Sequence, residues 1–329
     1  MSKLVTIFGG SGFVGRYIAR RMAKEGWRVR VAVRRPNEAM HVKPYGVPGQ
    51  VEPVFCNIRD DASVASVLEG ADAAVNCVGV LNGLGKNTFE AVQAEGAERV
   101  ARLAAEAGLK NFVHVSAIGA DAQSASKYAR SKAAGEAGVL EHQPDAVILR
   151  PSVIFGPEDE FFNRFAAMAR LSPMLPIAYG ATKFQPVYVD DVAQAAAMAV
   201  LGDAKPGIYE LGGPEAVSFR GLMQRMLAVI HRKSLILSMP GLAARAMAGG
   251  FDLMQKASFQ LIENKMLTVD QVKNLRTDNV VSQDALSFAD LDIAPINMEA
   301  VLPDYLWKFR PSGQYDEMVG SARNLRDES

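Results

Sequence analysis

A five-residue apolar run, Leu4-Val-Thr-Ile-Phe8, is followed at once by Gly9-Gly10-Ser11-Gly12-Phe13-Val14-Gly15 and then by an amphipathic stretch. Glycines at 9, 12 and 15 let the backbone turn tightly, approach a ligand closely and pack a helix on a strand with no Cβ between them. The helix start within the motif offers unpaired N–H groups and a partial positive charge, which suit a pyrophosphate. Strand, glycine triplet and helix in that order make Gly9, Ser11, Gly12, Phe13, Val14 and Gly15 candidate dinucleotide-binding residues.

The pattern then repeats. Short β-branched runs at Leu4–Phe8, Val29–Val33, Val51–Phe55, Ala73–Cys77, Phe112–Ser116 and Ala146–Leu149 alternate with helical stretches at Val14–Glu25, Ala62–Leu68, Thr88–Ala107 and Ser126–Leu140. Such alternation predicts an α/β fold, a Rossmann doubly wound parallel sheet covered by helices on both faces. The expected organisation is a nucleotide-binding domain over 1–155, to which 185–205 returns through a strand at Gln185–Val189 and a helix opened by Asp190-Asp191. A smaller, mostly helical lobe takes 156–184 and 206–320, including a short run at Gly207–Leu211, and 321–329 is a polar tail. The apolar region Leu235 to Met254 reads as core packing or as a surface that docks on a membrane or partner.

Composition excludes several classes. With 36 Lys+Arg against 36 Asp+Glu there is no global charge to favour nucleic acid. The zero hides a gradient, since residues 1–50 hold ten basic residues and two acidic ones. Cys56 and Cys77 lie in no CxxC or Cys/His cluster, so no disulfide framework and no metal site is expected. Charge-free stretches such as 73–85 and 171–182 fall short of the roughly 20 residues that span a bilayer. The strand-like run begins almost at Met1, so no leader peptide is expected.

Which dinucleotide fits is read at the end of the second strand, where an NAD site places an acid on the ribose 2′-hydroxyl. Here stand Arg34 and Arg35, and a guanidinium clamps a 2′-phosphate. NADPH (NADP) is therefore the expected cofactor. Asn57 and Ile58 after the third strand suit the adenine, and Cys77, Val78 and Gly79 follow the fourth at the ligand-binding edge. Ser116 ends the fifth strand, while Tyr128 and Lys132 share a face of the next helix at i, i+4 spacing. The ammonium would lower the phenol's pKa for proton exchange with a carbonyl or alcohol, with Ser116 bonded to the same oxygen. Tyr128 and Lys132 have a second job available, holding the nicotinamide ribose.

These motifs, with Leu149-Arg-Pro-Ser-Val-Ile-Phe-Gly-Pro157 and Val187-Tyr-Val-Asp-Asp-Val192, resemble the extended short-chain dehydrogenase/reductase superfamily. Gly156-Pro-Glu-Asp-Glu-Phe-Phe-Asn-Arg-Phe165, Phe184-Gln-Pro-Val-Tyr-Val-Asp190, Ala228-Val-Ile-His-Arg232 and the segment Ala285 to Ile293 narrow the likeness. They are similar to the NADPH-binding accessory subunits of respiratory complex I, the NADH:ubiquinone oxidoreductase. The resemblance adds Pro151, Val153 and Ile154 to the cofactor-binding set. It implies a tightly held structural nucleotide, no substrate turnover of its own, and the other complex I subunits as partners. With no leader peptide expected, the chain looks like a bacterial member, which would be peripheral on the cytoplasmic side of the inner membrane. The acidic run Glu158-Asp159-Glu160 is unfriendly to a nucleotide-sugar pyrophosphate unless it points away. A free-standing NADP-dependent reductase or epimerase using Ser116, Tyr128 and Lys132, and a nucleotide-ratio sensor, are the other readings.

Overall fold

The computed structural model describes residues 2–81, 83, 85–241, 246, 249–250, 268–316 and 318 of the chain. By its contacts the chain divides into two compact units. The first holds Met1–Ser152, Val189–Gly212 and Val281–Pro295, and the second holds Val153–Tyr188, Gly213–Val280 and Ile296–Ser329.

The first unit carries a seven-stranded sheet built from β1 (Leu4–Phe8), β2 (Arg28–Val33), β3 (Val51–Phe55), β4 (Ala73–Asn76), β5 (Asn111–Val115), β6 (Val147–Pro151) and the strand Gly207–Leu211. All its pairings are parallel, in the order Gly207–Leu211, β6, β5, β4, β1, β2, β3. Every residue of β1 is buried, as an apolar run covered on both faces requires. Pro53 is tolerated because β3 is an edge strand with one ladder fewer to feed. The strand order reverses beside β1, which lies between β4 and β2, and that reversal opens a crevice at the carboxyl ends of the strands.

Helices α1 (Phe13–Lys24), α2 (Asp61–Leu68), α3 (Glu95–Glu106) and α4 (Lys127–His142) lie within a residue or two of the expected ranges, α3 excepted. The helix expected over 88–107 begins instead with a π-helical turn, Glu90–Ala94, that runs into α3. That turn presents Gln93, whose side chain donates to Val80 O at 2.5 Å and accepts from Ser131 Oγ of α4 at 3.0 Å. A 3-10 helix at Pro36–Tyr45 is a further addition. The strand Gly207–Leu211, expected in the smaller lobe, instead pairs with β6 as the edge of the large sheet. Residues 281–295 join it there, with Ser282 N donating to Glu210 Oε2 at 2.8 Å.

The second unit pairs short strands two by two: Ile154–Phe155 with Val187–Tyr188, Lys183–Phe184 with Val217–Ser218, and Met174–Ala178 with Leu235–Met239. The strand expected at Gln185–Val189 is thus only Val187–Tyr188. Helices Phe162–Leu171, Phe219–Val229 and Met298–Leu306 enclose a core in which Phe161, Phe162, Phe165, Phe184 and Phe219 pack with ring centroids between 5.1 and 6.1 Å apart. Within the acidic run Asp159 turns inward, 3% exposed. Its carboxylate accepts from Gly156 N at 3.2 Å, from Asn163 N at 3.0 Å and from the Tyr305 hydroxyl. Burial raises its pKa, and those donors pull it back. Of the apolar region Leu235 to Met254, the first five residues form a strand with Ile236 buried and Leu235 and Leu237 exposed. Residues 242–245, 247–248 and 251–254 lie outside the described residues, as does the tail 321–329.

Helix α4, which carries Tyr128 and Lys132, meets the π turn at Gly135. A Cβ there would lie 2.2 Å from the main-chain oxygen of Gln93. Gly135→Ala is expected to lower stability by about 1–3 kcal/mol through overpacking, read as a fall in the urea midpoint.

Candidate functional site

At the carboxyl edge of β1 the chain turns through Gly9, whose φ of +74° is a region L side chains rarely adopt. Helix α1 then starts so close to this turn that a Cβ on Gly15 would sit 2.4 Å from Gly9 O. No side chain caps the helix and no acid occupies its first turn, so the amides of Phe13, Val14 and Gly15 face outward unopposed by charge. Arg16 grips the loop from behind, donating to Gly12 O at 3.2 Å and Ser11 O at 3.1 Å.

In front of this loop lies a cleft of about 710 Å³. It is lined by Gly9, Ser11, Gly12, Arg34, Arg35, Asn57, Ile58, Cys77, Val78 and Gly79 of the sequence-predicted set. Phe13, Val14 and Gly15 form the first turn of α1 beside it. Asn57 and Ile58 differ in use, since Ile58 is 6% exposed and packs into the core while Asn57 N donates to Ser63 Oγ at 2.9 Å and Asn57 Oδ1 accepts from Arg59 N at 3.3 Å. Burial pushes the Cys56 and Cys77 thiols up to about 11 and about 12, so neither is a thiolate at neutral pH. Pro151 closes β6, its carbonyl accepting from Ile118 N at 3.0 Å. Val153 and Ile154 belong to the second unit. No metal-holding cluster of His, Cys, Asp and Glu occurs among the described residues.

Ser116, Tyr128 and Lys132 stand outside the lining of that cleft. Lys132 Nζ donates to Val115 O at 3.1 Å and would sit 3.7 Å from a Cβ on Gly79, so it bridges the ends of β5 and β4. Burial lowers its pKa to about 8, with Glu136 and Cys77 opposing. Tyr128 packs edge-on against Phe89, centroids 5.9 Å apart. Its phenol is pushed up to about 12 by burial. The expectation that the ammonium would depress the phenol's pKa is therefore corrected: desolvation wins over proximity along the helix. Ser116 Oγ is buried, 4% exposed, and meets no hydrogen-bond partner among the described residues. The glycine-shaped loop at the start of α1 and the basic lining from Arg34, Arg35 and Arg59 fit a polar, anionic dinucleotide.

Sequence reasoning missed three residues. Glu38 lines the cleft with the two arginines, carried there by the 3-10 helix that no motif announced. Arg59 lines it too and donates to Lys86 O at 3.0 Å. His114 lies buried on β5, its Nδ1 accepting from Asn76 Nδ2 at 3.3 Å, while Asn76 Oδ1 accepts from Val78 N at 3.1 Å. The alternation pattern marks position 114 as buried, yet nothing in it gives the partner.

Residues 5–212 match the NAD dependent epimerase/dehydratase family. This chain belongs to that family. Among other members of the NAD dependent epimerase/dehydratase family and their relatives, it is 36% identical over 316 residues to "NADH dehydrogenase (ubiquinone) 1 alpha subcomplex subunit 9, mitochondrial" of Arabidopsis thaliana, covering 94% of this chain and 79% of that protein. It is 35% identical over 191 residues to "Ceramide reductase" of Caulobacter vibrioides, 58% of each chain. The crystal structure of gox2253 superposes with a TM-score of 0.68 at 22% identity, covering 95% of this chain and 99% of that one, a likeness of fold alone.

His114 makes the site's floor sensitive to acid. Burial, and then Lys132, lower its pKa from 6.5 to about 3, so between those values the unfolded chain binds a proton that the folded chain refuses. This contribution to stability is complete above pH 6.5 and is lost as pH falls toward 3. Moving from pH 7 to pH 4 should destabilise the natural chain by about 2–3 kcal/mol more than His114→Asn. Urea midpoints at the two pH values measure it.

Proposed function

We propose that this chain is an NADPH-binding accessory subunit of the proton-pumping NADH:quinone oxidoreductase, complex I, with a structural or stabilising role. The observation that carries the reading is the extent of the likeness. The Arabidopsis relative, named as a subunit of NADH dehydrogenase, aligns with 94% of the chain, so the likeness runs through the second unit as well as the nucleotide-binding one. A relative sharing only the sheet and its loop would not extend so far.

In this reading the nucleotide lies along the cleft. Gly9 to Gly15 hold the pyrophosphate, Arg34 and Arg35 the 2′-phosphate, Asn57 and Ile58 the adenine, and Cys77, Val78 and Gly79 the middle of the molecule. Ser116, Tyr128 and Lys132 hold the nicotinamide ribose, with Pro151, Val153 and Ile154 completing the cofactor set. A bound NADPH supplies a hydride donor, but a phenol raised by burial to about 12 is a poor proton source at neutral pH. That favours binding over turnover. The chain would then be peripheral, held through the complex on the cytoplasmic side of a bacterial inner membrane. No helix among the described residues is long and apolar enough to cross a membrane.

A second reading, a free-standing NADP-dependent reductase or epimerase, draws on the intact Ser116, Tyr128 and Lys132 and on the Caulobacter relative, which aligns with 58% of the chain. Turnover of a substrate with NADPH, abolished by Tyr128→Phe, is the result that would favour it.

On native gels of gently solubilised membranes the chain is expected to migrate with NADH:quinone oxidoreductase activity. Migration free of that activity overturns the assignment. Arg34→Ala is expected to weaken NADPH binding roughly 10- to 100-fold and NADH binding less than about threefold, measured by titration of nicotinamide fluorescence. Equal losses for both would remove the 2′-phosphate from Arg34.

A further inference from the structure

The two arginines at the end of β2 are not equivalent. Arg35 Nη1 donates to Glu38 Oε1 at 2.9 Å, and both side chains line the cleft beside Arg34. Arg34 has no ion-pair partner among the described residues. The Arg35 and Glu38 pair is built by the local backbone, because Glu38 N–H donates to Arg35 O at 3.1 Å in the first turn of the helix that Pro36 opens. The carboxylate is thus held three residues from the guanidinium it occupies, at the cleft's basic end.

Both side chains are largely exposed, 76% and 69%, and an ion pair so open to water is weak. It is weak enough to be exchanged. A phosphate arriving at this end offers Arg35 a stronger, doubly charged partner, but Glu38 then stands beside it as a like charge. A ribose hydroxyl makes no such demand, leaves the pair intact and can donate to the same carboxylate.

We propose that Glu38 sets the cofactor preference of this cleft by competing with the 2′-phosphate for Arg35, so that Arg34 provides the affinity for NADPH and Glu38 tempers it in favour of NADH. This rests on the reading that the cleft holds NADPH with its 2′-phosphate at Arg34 and Arg35. It goes further in assigning opposite signs to neighbouring residues.

The test is titration of the full chain with NADPH and with NADH, followed by nicotinamide fluorescence, for the natural chain, Glu38→Gln and Arg34→Ala. Glu38→Gln is expected to tighten NADPH roughly 3- to 10-fold and to leave NADH unchanged or weaken it up to about threefold. An unchanged or weakened NADPH affinity overturns the proposal, and so does an equal gain for both nucleotides, since either makes Glu38 a bystander or an orienter of Arg35. The two failures separate. If Arg34→Ala costs NADPH alone while Glu38→Gln changes nothing, the cofactor reading stands and Glu38 loses its role. If the natural chain binds neither nucleotide, or binds both alike and Arg34→Ala leaves both untouched, the cofactor reading falls and this proposal with it.

Discussion

Everything at the candidate site depends on how closely α1 approaches the end of β1. The backbone oxygen of Gly9 occupies the space that any side chain at position 15 would need, 2.4 Å from where its Cβ would be. That contact fixes the axis of α1, and with it the direction of the uncapped amides at its N-terminus. It also places those amides at the point where the strand order reverses, so fold and site share one constraint. The rest of the cleft is built outward from there by the loops after β2, β3 and β4.

Much of this was legible in the residues. Strands β1, β3 and Gly207–Leu211 fall on the runs read from pattern alone, and β1, buried throughout, shows why: a parallel strand covered on both faces writes itself as an apolar segment. The cleft brings together ten of the residues singled out from motifs. What the pattern could not give was context. Membership of Gly207–Leu211 in the large sheet is decided by pairing with β6, and hydropathy is the same in either unit. The π turn before α3 is a one-residue change of hydrogen-bond register that leaves the amphipathic rhythm intact.

Electrostatics was the least legible part. Tyr128 and Lys132 share a helical face as their spacing requires, yet spacing says nothing of how much water each loses. The ammonium donates to Val115 O, and burial raises the phenol. Around them, Asn76 and His114 link β4 to β5 under the loop that carries Cys77, Val78 and Gly79. The family's name spans more than one activity on this scaffold, so the role of the Tyr128 and Lys132 pair is set by its neighbours and not by the fold.

Asp159 bears on the order in which the chain assembles. The carboxylate that caps the turn at Gly156 and Asn163 also takes the hydroxyl of Tyr305, 146 residues later. On a ribosome adding about 5–20 residues per second, roughly 7–30 s separates synthesis of the two. During that interval the second unit holds a buried-type acid and a cluster of phenylalanines with no C-terminal helix to cover them. Strands β1 to β6 are synthesised before that wait begins, while the edge strand Gly207–Leu211 and residues 281–295, which complete the first unit, follow during it.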